Sequence, residues 1–93
     1  MISAKEAREN VINYEIERRQ MISEKVTKLF PIISKNIEYL SKKGYHETTL
    51  YIYRDFLFDE KEIAAKIIAT ELKENGYTIT KNDWDNDTLS FKW

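Results

Sequence analysis

Asp83, Asp85 and Asp87 stand at alternate positions, with Asn86 among them. Carboxylates spaced this way can converge on a hard cation, as at the start of a calcium loop. Position six of such a loop needs glycine, and here it is Thr88. The bidentate glutamate would fall one place past Trp93. The segment reads instead as a polar hairpin loop, because Asn and Asp tolerate turn geometry. No metal and no cofactor is expected.

His46 is the only histidine. Catalysis would pair it with a nucleophile or an orienting carboxylate, and Ser41, Glu47 and Asp55 are its neighbours in sequence. The plainer reading is a half-exposed side chain at a strand start. Cysteine is absent, which removes disulfides, thiolate metal sites and a cysteine nucleophile. Two glycines cannot build a phosphate-binding loop. Asn86-Asp-Thr88 matches a glycosylation acceptor only by chance, since no secretory leader is expected. The chain is therefore expected not to be an enzyme.

Arg18 and Arg19, with Lys25 and Lys28, form a basic patch beside Tyr14. Such a patch could meet phosphates of a nucleotide or a nucleic acid. Glu15, Glu17 and Glu24 neutralise much of it. Tyr45, Tyr51, Tyr53, Phe56 and Phe58 surround Arg54. Aromatics on a sheet can stack bases, but this stretch is not basic and reads as core and sheet packing.

These residues need elements to hold them. Ser3-Ala-Lys-Glu6 is a capping box. Apolar positions follow at Ala7, Val11 and Tyr14, then at Met21, Ile22, Val26, Leu29, Phe30, Ile33, Ile37 and Leu40. From Val26 onward the three-and-four spacing is that of a helix. It fails between Ile16 and Met21, where Glu17, Arg18, Arg19 and Gln20 intervene. Lys42-Lys43-Gly44 ends the helix. Pro31 removes one backbone bond and clashes with the Thr27 carbonyl, so the helix either kinks or breaks there. Unbroken, about 40 residues would span about 60 Å, against a radius of gyration of about 12 Å for a compact chain of this length. A straight helix must therefore protrude, its apolar stripe covered by another chain, whereas a helix broken at Pro31 could fold back as a hairpin in a monomer.

The second half alternates. Glu47 to Tyr53 is a strand, with Leu50 and Ile52 on one face and Thr49, Tyr51 and Tyr53 on the other. Asp59-Glu-Lys-Glu62 is a second capping box, with Phe58 and Ile63 as its staple. The helix it starts carries Ile63, Ala64, Ile67, Ile68 and Leu72 on one face and ends at Asn75-Gly76. Tyr77 to Lys81 and Thr88 to Trp93 are two further strands joined by a hairpin loop. Terminal Trp93 is expected to be docked. The fold class is α+β: a long N-terminal helix, then a β-α-β-β unit, giving a three-stranded sheet with helices on one face. The 93 residues form one domain, with a helical segment over 1–43 and the sheet unit over 44–93.

Charge splits along the same line. Residues 1–43 carry nine cations and six carboxylates, residues 44–93 six and ten, so +3 and −4 make the net −1. That asymmetry suggests self-association or a partner. The overall balance exerts no general pull toward nucleic acid or membranes. No stretch approaches the ~20 apolar residues of a membrane span, and a cytoplasmic protein is expected.

The C-terminal half resembles small proteins encoded by bacteriophages and prophages. In these a helix ends at Gly-Tyr, an alternating strand follows, and the chain closes on an apolar-x-apolar-x-Trp strand. The matching pieces are Leu72, Gly76-Tyr77-Thr-Ile79 and Leu89-Ser-Phe91-Lys-Trp93. The pattern covers residues 36–93, and the long helix lies mostly outside it. The Lys/Glu/Asn/Ile-rich composition is similar to that of low-GC bacteria and their phages. The resemblance implies an α+β fold and an origin, and no substrate. Proteins of that kind commonly act by binding.

The expected function is a non-enzymatic binding module of phage origin. It would self-associate through its N-terminal helix and act by protein–protein interaction, for instance by inhibiting a host factor. Arg18, Arg19, Met21 and Ile22 on the helix, and Tyr51 and Tyr53 on the open sheet face, are the expected contact residues. The alternative, from another class, is an anti-defence sponge that binds a phosphorylated nucleotide signal between subunits through Tyr14, Arg18 and Arg19. Nucleic acid is the least favoured ligand.

Overall fold

The computed structural model describes residues 1–93. It has a 39-residue helix α1 (Ala4–Lys42), strand β1 (Glu47–Tyr51), helix α2 (Phe58–Glu74), strands β2 (Thr78–Asp83) and β3 (Thr88–Lys92), and a single 3-10 turn at Trp84–Asn86. The fold is α+β with a three-stranded antiparallel sheet in the order β1-β3-β2. Both outer strands run antiparallel to β3. They are therefore parallel to each other, and α2 is the crossover between them.

α1 neither breaks nor folds back at Pro31, which lies exposed within the helix. The helix start carries one half of the expected capping box: the Ser3 hydroxyl accepts the Glu6 N–H at 3.1 Å, and the Glu6 side chain makes no return bond to Ser3. Its end is a glycine cap. Gly44 takes φ +86°, its N–H reaches the Ser41 carbonyl at 3.0 Å, and the Tyr45 N–H reaches Leu40 at 3.1 Å. α2 ends by the same device. Gly76 has φ +89°, and the Gly76 and Tyr77 amides bond Lys73 and Leu72 at 3.0 Å each. Both helices thus stop at Leu-x-x-x-Gly-Tyr, because only glycine takes the left-handed turn without a Cβ penalty.

Three expected boundaries shift. β1 stops at Tyr51, not Tyr53, because its partner strand begins at Thr88 and offers nothing beyond the Tyr51–Thr88 pair. β2 runs on to Asp83 and pairs with β3 to its end, absorbing an irregularity between Ile79 and Lys81. α2 is capped two residues earlier than its Asp59 motif suggested. The Leu57 N–H donates to Glu60 Oε1 at 3.0 Å, and leucine has no side chain to answer.

One face of the sheet carries the core. Leu89 and Phe91 of β3 are fully buried beneath Ala64, Ala65, Ile68 and Leu72 of α2 and Ile22, Val26 and Ile33 of α1. Trp93 is half-buried. Its backbone N–H bonds the His46 carbonyl at 2.9 Å, and its ring packs at 6.2 Å from Phe91 and from Tyr77. The opposite face, with Thr49, Tyr51, Thr78 and Ser90, has no layer over it. The molecule is a rod of 63 × 21 × 19 Å with a radius of gyration of 16.6 Å. The excess over a compact chain, about 12 Å, comes from α1.

Candidate functional site

The core reaches α1 only from Arg18 onward. Arg18 Nη2 lies 2.8 Å from Asp59 Oδ2, Lys25 Nζ lies 3.5 Å from the buried Glu60, and Ile22 is the first fully buried side chain. Residues 4–17, about 21 Å of helix, therefore project beyond the sheet unit. Val11, Ile12, Tyr14 and Ile16 lie on this projection, each more than half exposed. Ala4, Ala7, Val11 and Tyr14 recur at steps of three, four and three, a seam of coiled-coil type.

The expected contact residues separate on this frame. Arg19 and Met21 are exposed on α1, and Tyr51 is exposed on the open sheet face. Ile22 and Tyr53 are corrections. Ile22 lies one turn before Val26 on the same helix face, and α2 covers both. Tyr53 follows the end of β1, where the chain turns inward. It is fully buried, and its hydroxyl donates to Asn82 Oδ1 at 2.8 Å. Neither can touch a partner without unfolding the core.

The basic patch does not converge. Arg18 is committed to Asp59, and Arg19 is rotated from it by about 100° around the helix. Tyr14 shares the flank of Arg18 but lies a turn further out along the projection. No cleft gathers the three. His46 is exposed beside the first pair of the sheet. Two carboxylates of the acidic loop are engaged internally, Asp87 pairing with Lys61 and Asp83 accepting from the Asn86 side-chain amide at 2.9 Å, while Asp85 is exposed. No three such groups are placed to hold an ion. No helix is long and apolar enough to cross a membrane.

Tyr53 is the one group whose titration is clearly displaced, and burial pushes its phenol well above the ordinary range near 10. Asn82 ties it further, donating from Nδ2 to the Ala65 carbonyl at 3.2 Å. The chain Tyr53–Asn82–Ala65 joins the β1 turn, β2 and α2. Tyr53→Phe would leave a part-buried amide oxygen unpaired, and a loss of about 1–2 kcal/mol is expected in urea unfolding. The same variant tests the displaced phenol. A raised folded value keeps the proton on while the unfolded chain loses it, so stability falls as pH rises above about 10. Tyr53→Phe should show a shallower alkaline decline than the parent chain. An equal decline would assign the loss to other groups.

Sequence reasoning passed over Val11, Ile12 and Ile16 as contact residues. The signal for Val11 was available: the 4-7-11-14 seam runs out at Arg18, just before the core-facing 22-26-29-33 stripe begins, whereas Ile12 and Ile16 lie off that seam. One helix carries two apolar segments, each needing its own cover. No family model, curated protein or solved structure matches the chain.

Proposed function

We propose that the protein is a non-enzymatic binding module that self-associates through residues 4–17 of α1. The observation that supports this is the uncovered projection itself. A helical stretch of this length is marginal in water without packing, yet here it continues a folded helix and carries Val11, Ile12, Tyr14 and Ile16 into solvent. A second copy would cover it.

Charge favours an antiparallel pair. Lys5 and Arg8 lie near the start of the projection, interleaved with Glu6 and Glu9, and Glu15 and Glu17 lie near its base with no cation between them. Pairing about Val11 would set each cation of one copy beside a carboxylate of the other. It would also place the small Ala7 one residue from the level of the large Tyr14 of the other copy, where the two can interdigitate. Arg19 and Met21 lie at the margin of such a seam. The sheet units would sit at opposite ends, free to bind a further protein. Inhibition of a host factor by a phage-encoded protein is the role we assign to that arrangement, following the Gly76-Tyr77 and Leu89-to-Trp93 pattern.

Light scattering on a sizing column tests the reading. The full chain should give a mass well above 11.1 kDa that falls on dilution. Removing residues 1–17 should give a monomer with unchanged tryptophan emission from Trp84 and Trp93, because no buried side chain is lost. A mass that the truncation leaves unchanged, or a monomeric full chain, would sink it.

A further inference from the structure

The two outer strands of the sheet are protected unequally. β2 carries a register irregularity between Ile79 and Lys81, and Lys81 and Asp83 lie on it. Bulges and charges are how proteins blunt a sheet edge. β1 has neither; its register with β3 is regular throughout, and its only charge is Glu47 at one end. The Trp93 N–H bonds the His46 carbonyl, so hydrogen bonds to β3 alternate from His46 through Thr48 and Leu50. The backbone groups of Glu47, Thr49 and Tyr51 therefore point away from the sheet with no strand to meet them.

Beside this edge lies a groove between α1 and β1, lined by Leu29, Ile32, Asn36, Tyr39, Leu50 and Ile52. Ile32 and Tyr39 are more than half exposed. Asn36 Oδ1 is buried with no hydrogen-bond partner. Lys28 and Lys35 bracket Ile32 along the helix, about 10 Å apart at 1.5 Å per residue. Neither is in an ion pair, and no acidic residue lines the groove.

We propose that the β1 edge and this groove bind an extended peptide segment of a partner protein, one with a short apolar centre flanked by carboxylates. The segment would add a strand to β1. Its apolar side chains would cover Ile32 and Tyr39, its carboxylates would meet Lys28 and Lys35, and a donor from it would satisfy Asn36. A second copy of this chain fits less well. Its own β1 edge carries a single carboxylate, Glu47, to set against Lys28 and Lys35. The proposal rests on the protein-binding part of the reading above and names the chemistry of the partner.

The test is fluorescence anisotropy on the full chain with a labelled synthetic peptide, valine-rich at its centre and glutamate at both flanks. A peptide with lysine replacing glutamate is the control. Saturable binding of the acidic peptide is expected, with the amides of Glu47, Thr49 and Tyr51 gaining protection from hydrogen exchange. Thr49→Pro should weaken it at least about tenfold, since it removes an outward donor at an edge position where proline is tolerated in the fold. Lys28→Glu with Lys35→Glu should weaken it comparably and leave the fold intact, both side chains being exposed. No binding, equal binding of the lysine peptide, or binding indifferent to Thr49→Pro would overturn the proposal. So would a dimer in sedimentation that Thr49→Pro dissolves, because the second copy would then be the occupant. Failure here with self-association intact removes this proposal alone. Peptide binding by a chain that proves monomeric removes only the helix-pairing reading.

Discussion

Phe91→Ala is expected to destabilise the fold by about 3–5 kcal/mol, the usual cost of emptying a phenylalanine site in a packed core. Phe91 is fully buried on the central strand β3 and has a neighbour on either side, Thr48 of β1 and Ile79 of β2. Its ring meets Tyr77 edge-on at 5.7 Å, and Trp93 tilts against it at 6.2 Å. The cavity would therefore open where both outer strands, the end of α2 and the chain terminus converge, and nothing there is free to collapse into it. A domain of 93 residues holds about 5–14 kcal/mol in total, so one substitution would remove a large share. Urea unfolding followed by tryptophan fluorescence measures this. A loss under about 1.5 kcal/mol, the range of a tolerated core swap, would mean that the aromatic cluster is looser than its burial implies.

The features legible in the sequence were those set by local rules. The Ser3 cap, the Gly44 and Gly76 stops and the alternation around Leu89 and Phe91 depend on neighbours a few residues away, and the structure carries each of them. What misled was long-range pairing. Tyr53 sits in phase with Thr49 and Tyr51, so alternation alone puts it on the open face. Only the length of β3 decides that the ladder ends at Tyr51. Asp59 has the composition of a cap, but α2 begins two residues earlier because Glu60 answers the Leu57 amide. Ile22 illustrates the other kind of miss. Its spacing of four to Val26 was visible, and grouping it with Met21, about 100° away, mixed a buried face with an exposed one. Pro31 was undecidable from the chain alone. Proline disfavours helix, yet one lost bond on an exposed side is outweighed by the packing of Val26, Leu29 and Ile33 around it.

Val11→Glu with Tyr14→Glu is expected to raise the dissociation constant of the self-associated form at least about a hundredfold. Each side chain lies more than half exposed and outside the buried core. The substitutions therefore cost the isolated chain little, and its melting temperature at high dilution should stay within error of the parent. In an antiparallel pair about Val11 each site occurs twice. Burying a valine- or tyrosine-sized apolar surface is worth about 1.5–3 kcal/mol, and the introduced carboxylates would face one another across the seam. The same geometry sets a second readout. Lys5→Glu should weaken association by placing like charges opposite Glu17, and adding Glu17→Lys to that variant should restore it. Parallel helices would set Lys5 beside Lys5 and Glu17 beside Glu17, so the double variant would gain nothing over the single one. Sedimentation equilibrium across a concentration series separates these outcomes. An association constant that the glutamate pair leaves unchanged would place the contact elsewhere on the molecule and leave the projecting helix without its proposed role.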